Sequence, residues 1–320
     1  MPYDVLCQRF QDLCVHAPED PSVYTEFLKQ TLRVRPDIQS CLLDVMLARA
    51  VPCPVFPDAI DVCGTGGSGL KKRNISTAVA FVLACMGVPV SKHANRSATS
   101  QSGSADVWDC LGLPFLSDPV LLQKTFDAYH LVFLFAPLMH PALKHFAVAR
   151  KALGVPTVFN RLGPLANPSR PSYQLLGVSQ KAWLPDMVSL VQQRPIRRAW
   201  VVRGEDGSDD IALHHVTDVM DISQSGITHF RLDPSDFPFV PADPEGLRGG
   251  SPQDNAQALL RVLQGHALQE AYAQSVTLNA AAGLVITGHA ATLTEGCHQV
   301  QNVLQSGKPY ALYQAMRGLV

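Results

Sequence analysis

The sequence predicts an α/β protein in which a small N-terminal helical domain precedes a larger domain with a mainly parallel central sheet covered by helices. The first observation is that short apolar runs alternate with segments of helical length from residue 59 onward. Strands that alternate with helices form parallel sheets with covered faces. The second observation is that the first 50 residues carry apolar side chains at helical spacing, as at Leu6, Phe10 and Leu13.

A proline-rich stretch separates the two predicted domains. It contains Pro52, Pro54 and Pro57, and these prolines prevent a helix from continuing through it. We therefore expect residues 1–57 to form the helical domain and residues 58–320 to form the α/β domain.

Apolar patterning also places the individual elements of the larger domain. Strands are expected at 59–63, 88–91, 131–135, 156–159, 174–178 and 199–203. A hairpin is expected where 220–222 and 227–232 flank a short polar turn. Helices are expected at 75–86, 104–111, 118–128, 140–153 and 181–193, and the chain is expected to end in helices at 253–263, 266–287, 290–305 and 309–319.

The composition argues against several classes of function. The 26 basic and 27 acidic residues nearly cancel, so no broad basic surface is available for nucleic acid or for a membrane. Because no segment holds about 18 uncharged apolar residues, we expect no membrane span. The eight cysteines have no C-x-x-C spacing, and we expect reduced thiols in a cytoplasmic protein rather than a zinc site or a disulfide scaffold.

A glycine-rich loop follows the first predicted strand. Gly64, Gly66, Gly67 and Gly69 allow a sharp turn, and Asn74 is expected to cap the helix that comes next. Backbone N–H groups and the positive end of a helix dipole attract anions, so the segment predicts a phosphate site. Its spacing matches neither G-x-G-x-x-G nor G-x-x-x-x-G-K-[ST], which excludes the two common nucleotide fingerprints.

Four motifs within about fifty residues strengthen this prediction. They are D-x-x-G-T-G-G from Asp61, N-I-S-T-A from Asn74, K-H-x-N-R from Lys92 and S-G-S-A-D from Ser102, and F-N-R-L-G-P-L-A-N-P follows from Phe159. Together they resemble the anthranilate phosphoribosyltransferase family over roughly residues 58–215.

The resemblance implies a Mg²⁺-dependent transferase of tryptophan biosynthesis that is a cytoplasmic homodimer. Such an enzyme moves 5-phosphoribosyl from phosphoribosyl diphosphate to the amine of anthranilate and releases diphosphate. It also implies that residues of about 164–171 join the helical domain.

The resemblance assigns residues to each part of the site. For the phosphoribosyl diphosphate it implies Gly64, Gly67, Ser68, Lys72, Asn74, Ile75, Ser76, Thr77, Lys92, His93, Ala94, Asn95, Arg96, Ser97, Ala98, Thr99, Ser100 and Ser104. For anthranilate it implies Gly64, Asn95, Arg150, Gly163 and Pro164, and for Mg²⁺ it implies Ser76, Asp209 and Asp210. The planar fork of Arg150 suits a carboxylate, and hard oxygen ligands suit Mg²⁺.

No residue is assigned as a general acid or base. The amine of anthranilate is neutral and nucleophilic at pH 7, so Asn95 and Arg150 are expected to act by positioning it. His93 is expected to be a packed or hydrogen-bonded histidine.

Two other functions remain open from the sequence. One is a nucleoside phosphorylase, or a transferase with another aromatic acceptor, on the same fold. The other is a catalytically silent relative that binds nucleic acid, which is suggested by departures from the family pattern at Ser68, Ala94, Asp210 and the pair His214 and His215. Arg150 and the F-N-x-L-G-P pattern favour the anthranilate enzyme, and the near-zero net charge argues against nucleic acid.

Overall fold

The computed structural model describes residues 3–96, 101–237 and 239–318. The helices of the N-terminal half are α1 (Tyr3–His16), α2 (Pro21–Gln30), α3 (Pro36–Ala48), α4 (Ile75–Cys85), α5 (Ser104–Cys110), α6 (Pro119–Tyr129), α7 (Ala136–Met139), α8 (Lys144–Leu153) and α9 (Val158–Leu162). Those of the C-terminal half are α10 (Leu184–Gln192), α11 (Pro252–Leu263), α12 (Ala271–Thr287), α13 (Leu293–Gln305) and α14 (Lys308–Arg317). The strands are β1 (Ile60–Gly64), β2 (Val90–Ala94), β3 (Leu131–Phe135), β4 (Tyr173–Gly177), β5 (Arg198–Gly204), β6 (Thr217–Ser223) and β7 (Gly226–Leu232).

The strands form one sheet in the order β3-β2-β1-β4-β5-β6-β7. β1 to β5 are parallel, and β6 and β7 extend the sheet as an antiparallel hairpin. The predicted α/β class and the hairpin are therefore confirmed. The strand order changes direction at β1, because β2 and β3 lie on one side of it and β4 lies on the other. In open α/β sheets, ligands bind beyond the carboxyl ends of the strands at such a switch point.

One face of the sheet is covered by α4 and the C-terminal helices. α12 runs through the centre of this layer, and its side chains are buried from Ala271 to Ile286. Gly283 lies so close to α4 that an added Cβ would be 2.6 Å from a methyl group of Leu83. At the other end of α4, Asn255 of α11 and Tyr272 of α12 donate hydrogen bonds to Asn74.

The other face is covered by the N-terminal helices together with α8, α9 and α10. Phe10 and Phe27 stack with their ring centroids 5.4 Å apart, and Phe146 and Phe159 contact Phe10 from α8 and α9. These aromatic contacts hold α8 and α9 against the N-terminal helices. The domain boundary at residue 57 and the return of the chain at about 164–171 stay predictions.

The strand expected at 156–159 is wrong, because α9 begins at Val158. The β-branched and aromatic residues there favour a strand by propensity, but the side chain of Asn160 accepts a hydrogen bond from Thr157 N at 2.9 Å. This local bond favours a helix start. Packing of Phe159 into the aromatic cluster then stabilises the helix.

The expectation of reduced thiols is wrong for one pair of cysteines. Cys7 on α1 and Cys41 on α3 form a disulfide, with Cα atoms 6.2 Å apart. The other cysteines are free thiols. None of the described helices has the length and apolar character needed to cross a membrane.

Two glycines are required where the segment after β5 crosses the ends of β1 and β4. A Cβ on Gly177 would lie 1.7 Å from the carbonyl oxygen of Asp209, and a Cβ on Gly64 would lie 2.5 Å from its carboxylate oxygen. Protein atoms do not approach so closely, so any side chain at Gly177 displaces the backbone that carries Asp209. The glycine-rich loop after β1 and the acidic segment after β5, residues 205–210, are therefore in direct contact.

We predict that Gly177→Ala destabilises the protein by about 1–3 kcal/mol, the usual cost of overpacking. The measurement is the free energy of unfolding in urea. Gly163→Ala is the matched control, because its backbone is α-helical and an added Cβ meets no atom within 4 Å. Equal stability of the Gly177 and Gly163 variants would contradict the proposed close approach.

Candidate active site

A cavity of about 400 Å³ opens at the carboxyl ends of β1, β2 and β5. It lies at the switch point of the strand order, which is where the fold predicts a ligand site. Its volume lies in the range of small-molecule sites. The cavity joins the glycine-rich loop, the start of α4, the residues after β2, part of α8 and α9, and the acidic segment after β5.

Most residues predicted for the site line this one cavity. They are Gly64, Gly67, Ser68, Lys72, Asn74, Ile75, Ser76, Lys92, His93, Ala94, Asn95, Arg96, Ser104, Arg150, Gly163, Pro164, Asp209 and Asp210. Thr77 is buried in α4 and does not line the cavity. Ser97, Ala98, Thr99 and Ser100 lie outside the described residues.

The glycine-rich loop has the backbone that its sequence predicts. Gly66, Gly67 and Gly69 have φ values of 64°, 74° and 73°, in the left-handed region that favours glycine. Thr65 anchors the loop to β4, because its N–H donates to the carbonyl of Gly177 at 2.9 Å. The loop is therefore a shaped element that presents its backbone to the cavity.

Asn74 stands at the N-cap position of α4, but its side chain makes no capping hydrogen bond. The expectation that it caps the helix is therefore wrong for the side chain. Its amide instead donates to the carbonyl of Ser102 at 3.3 Å, and its Oδ1 accepts from Asn255 at 3.0 Å. These partners hold the side chain away from the first turn of the helix.

Lys92 is a buried cation in the wall of the cavity, with 1% of its surface exposed. Its ammonium donates to the carbonyl of Val62 at 2.5 Å and to Ser76 Oγ at 3.0 Å. Burial lowers the pKa of Lys92, and the nearby carboxylate of Asp61 opposes this shift. Desolvation raises the pKa of Asp61 to about 6, and Asn167 donates to its carboxylate at 2.9 Å. The lysine is thus part of a buried polar network that reaches the cavity.

The acidic segment after β5 places two carboxylates beside the glycine-rich loop. Asp209 accepts a hydrogen bond from Gly66 N at 2.8 Å, and Asp210 pairs with the ammonium of Lys72 at 2.8 Å. Burial raises the pKa of both carboxyl groups, and the charge of Asp210 raises that of Asp209 further. Two neighbouring carboxylates with raised pKa values favour the approach of a cation.

These oxygen atoms fit a Mg²⁺ ion that is shared with a substrate. Mg²⁺ is usually held by one or two carboxylates together with substrate phosphates and water. Within the described ranges, no group of three or more His, Cys, Asp or Glu side chains could hold a metal by itself. Ser76 Oγ, the third predicted ligand, accepts a hydrogen bond from Lys92.

Arg150 on α8 also lines the cavity. It lies 5.6 Å over the ring of Phe159 and donates to Asn160 Oδ1 at 3.4 Å. Burial lowers its pKa, and no carboxylate of a described residue forms an ion pair with it. A half-buried cation without a counter-ion favours the binding of an anionic ligand.

His93 is a neutral histidine in this structure. Burial and the nearby ring of His140 lower its pKa to about 3. Its Nδ1 lies 3.2 Å from the carbonyl oxygen of Gly163, to which it donates, and the two imidazole rings are 5.2 Å apart. The prediction of a packed, hydrogen-bonded histidine agrees with this geometry.

Arg96 turns its charge toward α5. Its guanidinium pairs with Asp106 at 2.9 Å and with Asp109 at 3.1 Å, and it stacks near Phe115 and Phe135. These contacts fix the chain as it leaves β2.

Several cavity residues and supporting residues were missed from the sequence. Phe159, Asn160, Ala136 and Arg73 line the cavity, and Asn255 and Tyr272 bond to Asn74 from the C-terminal layer. The available signal was the presence of polar residues in strongly apolar helices, since a buried polar group needs a partner. That signal does not identify the partner.

Comparisons with known proteins agree with this geometry. The family described as "Glycosyl transferase family, a/b domain" matches residues 56–310. An anthranilate phosphoribosyltransferase of Methylobacterium radiotolerans is 42% identical over 264 residues, which are 82% of this chain and 76% of that protein.

Two solved structures share the fold over 99% of this chain. The crystal structure of anthranilate phosphoribosyltransferase from Thermus thermophilus has a TM-score of 0.88 and 33% identity, with 95% of its chain covered. The Saccharomyces cerevisiae enzyme in complex with 4-fluoroanthranilate has a TM-score of 0.85 and 25% identity, with 91% covered. The sequence motifs lie in one cavity, and a relative is 42% identical over 82% of this chain. This chain therefore belongs to the anthranilate phosphoribosyltransferase family.

Proposed function

We propose that this protein transfers the 5-phosphoribosyl group of phosphoribosyl diphosphate to the amine of anthranilate and releases diphosphate, a step of tryptophan biosynthesis. The observation that carries the proposal is the set of charged groups that line one cavity. The glycine-rich loop, two carboxylates and the guanidinium of Arg150, which has no carboxylate partner among the described residues, all line it. A substrate pair with a diphosphate on one partner and a carboxylate on the other matches these groups.

The donor's diphosphate is proposed to bind at the glycine-rich loop and the start of α4. Backbone N–H groups of the loop and the uncapped first turn of α4 supply donors, and Lys72 supplies a positive charge beside them. Ser76 and Ser104 add hydroxyl groups from two helices that line the same cavity. These groups stabilise the charge that develops on the leaving diphosphate.

The metal proposed for this site is Mg²⁺, with Asp209, Asp210 and Ser76 as its protein contacts. When bound, the ion would neutralise charge on the leaving diphosphate. Asp209 already accepts a hydrogen bond from Gly66 N, and Asp210 already pairs with the ammonium of Lys72, without a metal ion. The protein therefore supplies few free oxygen ligands, and the diphosphate itself is proposed to supply others.

The acceptor is proposed to lie between Arg150, Asn95 and the wall formed by Gly163 and Pro164. The guanidinium holds the carboxylate of anthranilate, which aims its amine along the cavity toward the donor end. The support for this acceptor is the named activity of relatives such as the Methylobacterium radiotolerans protein and the fluoroanthranilate bound in the yeast enzyme.

The chemistry needs one bond to form and one to break. The amine nitrogen attacks C1 of the ribosyl ring, the C1–O bond to diphosphate breaks, and the bonding electrons leave with diphosphate. The nitrogen then loses a proton to solvent. Because an arylamine is neutral at pH 7, no side chain has to deprotonate it before attack, and the lowered pKa of His93 fits a neutral wall residue. Positioning and stabilisation of the leaving charge account for catalysis.

The proposal also includes a cytoplasmic homodimer, as the family resemblance implies.

The direct test of the function is diphosphate release from phosphoribosyl diphosphate, measured with and without anthranilate and with and without Mg²⁺. Release that requires both additions is expected. Release with another aromatic acceptor alone, or phosphate-dependent cleavage of a nucleoside, would instead support the alternative reactions on this fold.

We predict that Arg150→Ala weakens the use of anthranilate far more than the use of the donor. The variant loses a charge-assisted pair worth about 1.5–3 kcal/mol, so the KM for anthranilate should rise by roughly tenfold to 150-fold. Steady-state kinetics with each substrate varied in turn measure the two effects. Lys151→Ala is the control on the same helix, where the side chain is exposed. Equal losses for both substrates would make Arg150 a structural residue.

We predict that Asp210→Glu combined with Ser68→Asp lowers the Mg²⁺ concentration needed for half-maximal activity. The longer carboxylate at 210 reaches further toward the cation, and a carboxylate at 68 adds a charge to the loop, while Mg²⁺ tolerates little departure from oxygen distances of about 2.0–2.1 Å. The curve is measured at fixed donor concentration. Asp206→Glu is the control, since Asp206 lies on the same segment but bonds to Ser208. An unchanged curve in the double variant would show that Asp209 and the diphosphate suffice.

A further inference from the structure

Asn255 is a buried asparagine of α11 that reaches the start of α4. Only 2% of its surface is exposed. Its Oδ1 accepts a hydrogen bond from Gly250 N at 2.9 Å, and its Nδ2 donates to Asn74 Oδ1 at 3.0 Å. Because a backbone N–H can only donate, the bond from Gly250 fixes which end of the amide faces Asn74. Asn255 is therefore a directed donor to Asn74.

Asn74 is held from two further directions. Ser102 donates its hydroxyl to Asn74 Oδ1 at 3.3 Å, and its carbonyl accepts from Asn74 Nδ2 at 3.3 Å. Tyr272 of α12 donates its hydroxyl to the carbonyl of Asn74 at 3.0 Å. The side-chain oxygen of Asn74 thus has two donors, and neither belongs to α4.

This arrangement has a consequence for the first turn of α4. An asparagine at an N-cap normally accepts a hydrogen bond from the N–H of the second or third helical residue, which here are Ser76 and Thr77. No side-chain cap of this kind is present on α4. The same N–H groups are the donors that a helix start offers to an anion. A capping side chain and a bound diphosphate would therefore compete for them.

We propose that Asn255 is a positioning residue that keeps Asn74 from capping α4 and so leaves the first turn of the helix available to the diphosphate of the substrate. The inference rests on the proposed function in so far as the substrate carries a diphosphate. Asn255 lines no part of the cavity and acts through Asn74 alone. When Asn255 is absent, Asn74 turns to α4 and the site closes to the anion.

The first experiment measures the affinity of the protein for inorganic diphosphate with Mg²⁺ by titration calorimetry. An N-cap bond is worth about 1 kcal/mol, so a competing cap in Asn255→Ala should weaken binding by about five- to tenfold. Gln39→Ala is the matched control, because Gln39 is also a fully buried amide with two hydrogen bonds. Its amide donates to the carbonyl of Val34 and to the carboxylate of Asp186, and neither residue belongs to α4. It should lose stability to heat without losing affinity for diphosphate.

The second experiment separates positioning from general damage to the fold. In an Asn74→Ala background no side chain remains to cap α4, so adding Asn255→Ala should cause no further loss of affinity. An equal loss in both backgrounds, or wild-type affinity in Asn255→Ala, would overturn the proposal. If Asn255→Ala fails to fold, Asn255→Asp is used in the same cycle at a pH where its carboxylate is ionised, since the carboxylate keeps the bond from Gly250 and cannot donate to Asn74.

The outcomes also separate this inference from the proposed function. A wild-type protein that binds diphosphate but transfers nothing to anthranilate would remove the proposed function and leave the role of Asn255 intact. A wild-type protein that does not bind diphosphate with Mg²⁺ would overturn the inference, because no phosphate site would then exist for Asn255 to keep open.

Discussion

The contact between Asp209 and the glycines at the ends of β1 and β4 is the constraint on which the site depends. The carbonyl of Asp209 occupies the space that a side chain of Gly177 would fill, and its carboxylate lies against Gly64 and accepts from Gly66 N. The two strands are neighbours at the switch point of the sheet. Together with the ion pair between Lys72 and Asp210, that contact joins the phosphate-binding loop and the acidic segment into one surface of the cavity.

A buried network of hydrogen bonds and charges also fixes β1 relative to the neighbouring strand β2. Asp61 of β1 accepts from Asn167 and lies near the ammonium of Lys92 on β2. Asn167 also donates to the carbonyl of Ser91 at 2.8 Å. Buried charges are tolerated only when they are paired and hydrogen-bonded, so these groups set the relative position of β1, β2 and the segment that includes Pro164. That segment forms part of the proposed acceptor wall.

Local sequence was sufficient to predict the α/β architecture and the phosphate-binding loop, whereas the family resemblance supplied most of the other cavity residues. The spacing of apolar residues and the positions of the glycines identified β1, the loop after it and α4. Their order along the chain put the loop at the carboxyl end of the sheet.

Local sequence failed where a distant partner decides the structure. The local pattern predicts that Asn74 caps α4, but its side chain bonds to Asn255, 181 residues away. Local propensity predicts a strand at 156–159, but α9 packs Phe159 into an aromatic cluster with Phe10. Neither partner is visible within a window of helical or strand length.

The bonds from Asn255 and Tyr272 to Asn74 also bear on how the site is assembled during synthesis. The two donors lie 181 and 198 residues after Asn74, so most of the chain has to be made before either can reach it. Domains synthesised at about 5–20 residues per second leave their early strands exposed for many seconds. The phosphate-binding loop therefore exists as a local turn long before its helix start has its final hydrogen bonds. A nascent chain that stops short of α11 and α12 therefore carries the phosphate-site motifs without the two donors that hold Asn74.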